Sequence, residues 1–463
     1  MKYPKTSYDK LMEPYYEDYL HHLKEFVSID SVGNRGEVNE ENPFGSVVSR
    51  ALQYITDLAT KDGFIVHNYK NMIVEILCGE QEKNITIMAH ADVVPEGLGW
   101  PHNPFNVREK DGILTGRGVA DDKGPLLQAY YALKALRDHH MLGDYQVRFL
   151  VGGNEESGSR GMIYYFEELK KKQPTLGFSP DAEYPLIYAE KGIMNYMVKG
   201  PLELENVRSI HAGLAFNAVI EECRIVLNEK DDELEQLFHQ ELPESTYTRM
   251  PDGHILIVVR GKSAHGSTPE LGINAVKIAL EVLNKKYQNK DLAKLLKAYD
   301  DVKGRGLNAY NISSDMDNQE NSMNVGLFDY EKGMMEMVVN FRFVNNCDVD
   351  QTILNIKESS KPFEVEVKSI SPLLFYEKSS DLVQILLKSY QEESGDYEST
   401  PKAIGGGTYA KEASNVVAFG AEFPGWDSKM HGILEGSKKE DMLKSMAIYA
   451  HAIYELGKKI EEK

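Results

Sequence analysis

Apolar and polar positions in the first part of the chain follow two rhythms. Ile85-Thr86-Ile87-Met88 and Val147-Arg148-Phe149-Leu150-Val151 are short β-rich runs that predict strands. Between them Leu126, Ala129, Tyr130, Leu133 and Leu136 recur at helical spacing, directly after Gly124-Pro125, a pair suited to a helix start. From about residue 45 to 185 this order of strand, loop, helix and strand predicts an α/β sheet with helices on its faces.

After Asp181 the pattern changes. Ile255 to Val259 and Met337 to Phe343 alternate as strands, and Val276, Ala279, Leu280 and Leu283 mark a helix. A separate α+β unit of roughly 190 residues is therefore expected. The tail returns to the α/β style, with the apolar strand Val416-Val417-Ala418-Phe419 and an amphipathic helix from about Lys438 to Leu456. If this tail completes the first unit, the second is an insertion. The acid-dense stretch from Glu229 to Glu241 reads as a solvated helix face.

A chain of 463 residues is long for one core, which agrees with two domains. Hydrophobic residues make up 42% and charged residues 27%, the range of a globular enzyme. Lys plus Arg number 52 against 72 Asp plus Glu, a net charge of -20, and no basic block is present to track phosphates. Nucleic acid is a poor partner for such a surface. Cys78, Cys223 and Cys347 are far apart and without metal-type spacing, which suits a reducing compartment. Met1 to Asp30 holds no apolar stretch of signal-peptide length, and no run approaches a membrane span. The expectation is an unprocessed cytoplasmic protein without membrane contact.

Three acid-bearing loops carry the candidate chemistry. His90-Ala91-Asp92 follows a strand, so the imidazole can bind a metal while Asp92 orients it. Gly116-Arg117-Gly118-Val119-Ala120-Asp121-Asp122-Lys123-Gly124 sets adjacent acids at a helix start; a carboxylate there can bridge two cations, or simply cap the helix. Gly152-Gly153-Asn154-Glu155-Glu156-Ser157-Gly158 holds two glutamates in a tight turn, where mutual repulsion invites a cation or a proton. One of the pair can ligate metal while the other serves as general base. Asp181 adds a further acid in Ser179-Pro180-Asp181. Together these describe an oxygen-rich metal site with imidazole, suited to zinc, manganese or cobalt.

With these motifs in view, the chain resembles the two-metal aminoacylase and glutamate carboxypeptidase family of metallopeptidases, and within it the PepV-type dipeptidases. The matching segments run from His90 to His431. The resemblance implies that His90 and Asp181 bind one metal, that Glu156 and His431 bind the other, and that Asp121 bridges them. It also implies a cis peptide between Asp121 and Asp122, Glu155 as general base, and Asp92 as the carboxylate that steers His90. His431 lies in Met430-His431-Gly432-Ile433-Leu434-Glu435, whereas His451, mid-helix, is expected to be structural.

In Gly261-Lys262-Ser263-Ala264-His265-Gly266-Ser267-Thr268-Pro269, His265 sits between a strand and a helix whose start Thr268 and Pro269 mark. The resemblance gives His265 the oxyanion, with Asn217 beside it. It gives Arg342 the substrate's terminal carboxylate, together with the backbone of Gly406 and Gly407 in Gly405-Gly406-Gly407-Thr408-Tyr409.

The implied fold is α/β: a mixed-sheet catalytic domain with helices on both faces (1–185 and 380–463) plus an inserted α+β lid domain (186–379). The implied cofactors are two divalent metal ions, zinc or manganese, and the implied substrates are short peptides, mainly dipeptides. A monomer is expected, because a long lid can supply in one chain what smaller relatives gain by pairing. Competing expectations are N-acyl amino acid deacylation, carboxypeptidase action, and a noncatalytic peptide-binding protein; the last would have lost Glu155 or a ligand.

Overall fold

The computed structural model describes residues 3–309 and 314–462. The chain divides into two compact units, one built from Met1–Ala189, Leu374–Lys402 and Gly407–Lys463, the other from Glu190–Leu373 and Ala403–Gly406.

The first unit is built on a nine-stranded mixed sheet. At its centre Gln146–Gly152, Asn84–His90 and Leu176–Ser179 lie side by side and parallel, and Val416–Ala418 continues the parallel set beside Leu176–Ser179. Ile65–Tyr69 and Ile73–Cys78 extend it antiparallel on one side. Every residue of Asn84–His90 is buried, so both faces of the sheet are covered, as a parallel arrangement requires. Helices Lys123–Asp138 and Lys439–Glu461 pack on each other and on this central strand, and helix Ser46–Lys61 packs on the antiparallel edge.

Between sheet and helix Lys439–Glu461 the core is aromatic. Phe178 is fully buried, stacks on Tyr449 with ring centroids 5.5 Å apart and meets Phe419 edge-on at 5.7 Å. Truncating it leaves a large void, so Phe178→Ala is expected to cost about 3 to 5 kcal/mol. A urea titration that shows less than 1 kcal/mol lost would contradict this packing.

The predicted helix after Gly124-Pro125 is present as Lys123–Asp138, nearly all of it buried. A Cβ on Gly124 would meet the Val119 carbonyl oxygen at 2.0 Å, so only glycine lets the loop fold back on this helix. His451, buried in Lys439–Glu461, stacks on Tyr8 and binds Glu393 Oε1 through Nδ1 at 2.9 Å, a structural role.

The second unit is an eight-stranded antiparallel sheet with helices Asp232–Glu241, Ala275–Tyr287, Lys290–Ala298 and Val349–Ser359. Its strands alternate buried and half-buried along Gly192–Pro201 and Ile255–Arg260, the mark of one face covered more fully than the other. The acid-dense stretch forms Asp232–Glu241, which buries only Leu234 and Phe238. One expectation is corrected here: Thr268 and Pro269 do not open the long helix. They open a single 3-10 turn, Pro269–Leu271, and the helix begins at Ala275 with the Asn274 side chain as its cap. Pro269 at a first turn is satisfied equally by either outcome, which is why the sequence misleads. Among the described residues no helix is long and apolar enough to cross a membrane.

Candidate active site

The three central parallel strands end at one edge of the first unit's sheet, the edge where open α/β sheets gather ligands. His90 is the last residue of its strand, Glu155 and Glu156 occupy the turn after Gln146–Gly152, and Asp181 follows Leu176–Ser179. Asp121 comes from the glycine-framed loop before helix Lys123–Asp138, and its peptide to Asp122 is cis. His431 arrives from an irregular loop with left-handed backbone, φ 63°.

These side chains converge. Asp121 Oδ1 lies 3.0 Å from His90 Nε2, and Asp121 Oδ2 lies 2.8 Å from His431 Nε2, so one carboxylate faces two imidazoles. Asp181 Oδ2 is 3.6 Å from His90 Nε2, and Glu156 Oε2 is 3.3 Å from His431 Nε2. Two groups result, His90 with Asp121 and Asp181, and Asp121 with Glu156 and His431; within each, the ligand atoms lie inside 4.8 Å of one another.

Asp92 has a wider role than expected. His90 Nδ1 lies 2.9 Å from the Asp92 backbone oxygen and 3.4 Å from its carboxylate. A carbonyl only accepts, so Nδ1 carries the hydrogen and Nε2 is the nitrogen turned toward the acids. The Asp92 carboxylate itself accepts the backbone N–H groups of Glu155 at 3.0 Å and Glu156 at 3.2 Å, which fixes the glutamate turn.

The electrostatics show a shortage of positive charge. Burial, followed by the charge of Asp181, lifts both Glu155 and Asp122 well above the carboxylate range. Burial and Asp121 push Glu156 up to about 7 and Asp181 up to about 6. Burial works against charge on His90, yet Asp181 and Asp121 raise it well above its ordinary value; His431 is likewise pushed up to about 11 by Asp121 and Glu156. Asp121 alone goes down despite its burial, held by His431 and His90. Glu156 Oε1 and Asp122 Oδ1 are buried without a hydrogen-bond partner. Carboxylates so crowded, with an orphaned oxygen on a candidate ligand, fit divalent cations better than protons.

Residues that sequence reasoning left unassigned surround this cluster. Arg117 and Glu435, both fully buried, form an ion pair beside the Asp121 loop. Asp122 Oδ2 accepts the His90 backbone N–H at 3.0 Å. The Tyr409 ring stands edge-on to His90, with centroids 6.1 Å apart. A charged residue framed by glycines at Gly116-Arg117-Gly118, and an acid four residues after His431, were the available signals for the pair.

The remaining expected residues belong to the second unit, except Gly407. The His265 and Ala218 backbones form a bridge, and Gly266 N–H donates to the Asn217 oxygen at 2.7 Å, so His265 and Asn217 sit on touching loops. Gly405 abuts Ser267 of the same loop, where a Cβ would come within 2.8 Å of the Ser267 Cβ. Arg342 is 3% exposed; its Nε donates to Asn340 Oδ1 at 2.9 Å and its Nη1 to the Gly405 carbonyl. The division between the two units falls between Gly406 and Gly407.

Comparison with known proteins gives the family of the chain. Residues 86–455 match peptidase family M20/M25/M40. "Putative dipeptidase YtjP" of Bacillus subtilis is 32% identical over 459 residues, covering 96% of this chain and 98% of that protein. "Putative dipeptidase SH1171" of Staphylococcus haemolyticus is 30% identical over 456 residues, covering 94% of this chain and 96% of that protein. Among solved structures, human carnosine dipeptidase 1 superposes with a TM-score of 0.60 at 15% identity, covering 98% of this chain and 100% of that one. An M20 family metallo-carboxypeptidase from Sulfolobus solfataricus gives 0.58 at 17% identity, covering 95% and 99%. The structures carry the fold and the sequence relatives carry the kinship: this chain belongs to peptidase family M20/M25/M40 and is a hydrolase acting on peptide bonds.

Proposed function

We propose that the protein is a metal-dependent dipeptidase that cleaves the amide bond of dipeptides bearing a free C-terminal carboxylate, in the cytoplasm and as a monomer. The observation that carries this reading is the pair of ligand groups that share Asp121. His90 and Asp181 would hold one divalent cation, Glu156 and His431 the other, with one Asp121 oxygen directed to each; the oxygen and imidazole donors suit zinc or manganese. Bound there, the cations would acidify a water and polarise the scissile carbonyl.

The chain's own residues supply the rest. Glu155 takes the proton of the attacking water on its carboxylate and delivers it to the leaving amine nitrogen; burial and the neighbouring acids raise its affinity for that proton. The Asp92 carboxylate keeps Glu155 in place through its backbone N–H. His265 donates to the oxyanion, with Asn217 as its companion.

Arg342 receives the substrate's carboxylate, assisted by backbone N–H groups of Gly406 and Gly407. Support for Arg342 comes from its surroundings: the guanidinium is buried, and among the described residues its hydrogen bonds go to a side-chain amide and a backbone carbonyl, with no ion pair. A buried cation without an anion is costly, and a substrate carboxylate removes that cost. The names of the sequence relatives as dipeptidases point the same way.

Rates on dipeptides, tripeptides, N-acetyl amino acids and C-amidated dipeptides test the proposal. Dipeptides with a free carboxylate are expected to be turned over best, and absence of dipeptide turnover would reject it in favour of deacylation or carboxypeptidase action. Arg342→Met is expected to raise KM for dipeptides about 10- to 100-fold, the loss of a charge-assisted pair. An unchanged preference for the free acid over the amide in that variant would remove Arg342 from the role.

A further inference from the structure

The His431 loop belongs to no helix or strand, and its own backbone bonds are those of Gly432 N–H to the Lys429 oxygen at 2.7 Å and Gly436 N–H to the Ser428 oxygen at 2.9 Å. Lys429, His431 and Leu434 all have left-handed backbone, with φ of 54°, 63° and 60°, and no helix or strand spans them. Non-glycine residues keep such conformations only where their surroundings impose them. The His431 side chain is also half exposed, at 54%, whereas Asp121 is buried.

The Arg117–Glu435 pair ties this loop to the one that carries Asp121. Glu435 Oε2 accepts from Arg117 Nη1, while Oε1 accepts the backbone N–H groups of Gly118 at 2.9 Å, Ala120 at 3.1 Å and Asp121 at 3.2 Å. The other guanidinium nitrogen, Arg117 Nη2, donates to the backbone oxygens of His431 and Gly432, each at 3.2 Å, and to that of Pro95 at 3.3 Å. Gly116 N–H closes the ring on the Glu435 carbonyl at 2.9 Å. Each partner therefore grips the loop that carries the other: Glu435 holds the backbone of Asp121, and Arg117 holds the backbone of His431.

A buried ion pair is a poor device for stability alone, since a well-packed apolar pair of similar volume does as well. The planar guanidinium, which splits its donors between the Glu435 carboxylate and the backbone oxygens of His431 and Gly432, is a good device for distance and angle. Resting on the two-cation reading above, we infer that Arg117 and Glu435 are positioning residues that set His431 against Asp121 and so govern retention of the cation shared by Asp121, Glu156 and His431.

Metal-free protein titrated with Zn²⁺ or Mn²⁺ by calorimetry and chelator competition tests this. Wild-type protein is expected to bind two ions. Glu435→Gln, nearly the same shape, is expected to keep its circular dichroism spectrum and its first ion, and to bind the second about 10- to 100-fold more weakly. Wild-type protein that binds no ion would defeat the two-cation reading itself. Two ions in the wild type and equally tight binding of both by Glu435→Gln, or equal weakening of both, would overturn the positioning inference alone. If Glu435→Gln fails to fold, Arg117→Lys is read in the same way: it keeps the charge but loses the fork, so a weaker second ion is expected and unaltered binding overturns the inference.

Discussion

Glu155→Gln is expected to lower kcat by about 10²- to 10⁴-fold, the reach of a well-placed general base, while metal content stays at the wild-type level. The substitution preserves volume, and the turn should survive because Asp92 holds it through the backbone N–H groups of Glu155 and Glu156, not through the Glu155 carboxylate. Only the capacity to accept a proton is lost. Turnover of a dipeptide measured beside elemental analysis separates the two effects. Activity within tenfold of wild type would exclude Glu155 as base, and loss of metal in step with activity would make it a ligand instead.

Asp121→Ala should be the most damaging single change at the ligands, because its two oxygens face different imidazoles. Removing any other candidate ligand spoils one group, but removing Asp121 spoils both. Each ion is expected to bind more than about 100-fold more weakly, beyond the loss seen for residues that only support a ligand. His431→Ala, by contrast, should lose one ion. Stoichiometry by mass spectrometry under native conditions reads the difference directly. One ion retained by Asp121→Ala at wild-type affinity would show that the carboxylate is not shared.

Much of the catalytic sheet was legible because its strands are dense and short. Asn84–His90 and Gln146–Gly152 bury almost every residue, so their apolar runs stand out, and each ends in the polar loop that holds candidate chemistry. The helix Lys123–Asp138 announced itself by spacing and by Gly124-Pro125. Pairing across long distances was less legible. Nothing local in Val416–Ala418 says that it lies parallel beside Leu176–Ser179, nor does Ala403–Gly406 declare that it groups with the second unit.

At the site, residue types were readable and partners were not. Glu435 lies in the same short motif as His431, yet its hydrogen bonds run to Gly118, Ala120 and Asp121, more than three hundred positions earlier. Asp92 was assigned to the ring beside it, and the structure adds the turn that carries Glu155. Both cases have one cause: a carboxylate has several acceptor sites, and sequence adjacency reveals at most one of them.

The order in which the first unit is written along the chain has a consequence for how the protein is born. His90, Asp121, Glu156 and Asp181 all precede residue 190, but the strand Val416–Ala418, the His431 loop and the helix Lys439–Glu461 come after the whole of the inserted sheet. At about 5 to 20 residues per second, roughly 10 to 45 s of synthesis separates the two halves. Throughout that interval a nascent chain holds His90, Asp121, Glu156 and Asp181 without the strand Val416–Ala418 or the His431 loop, so His431 can join them only after the whole inserted sheet has been made.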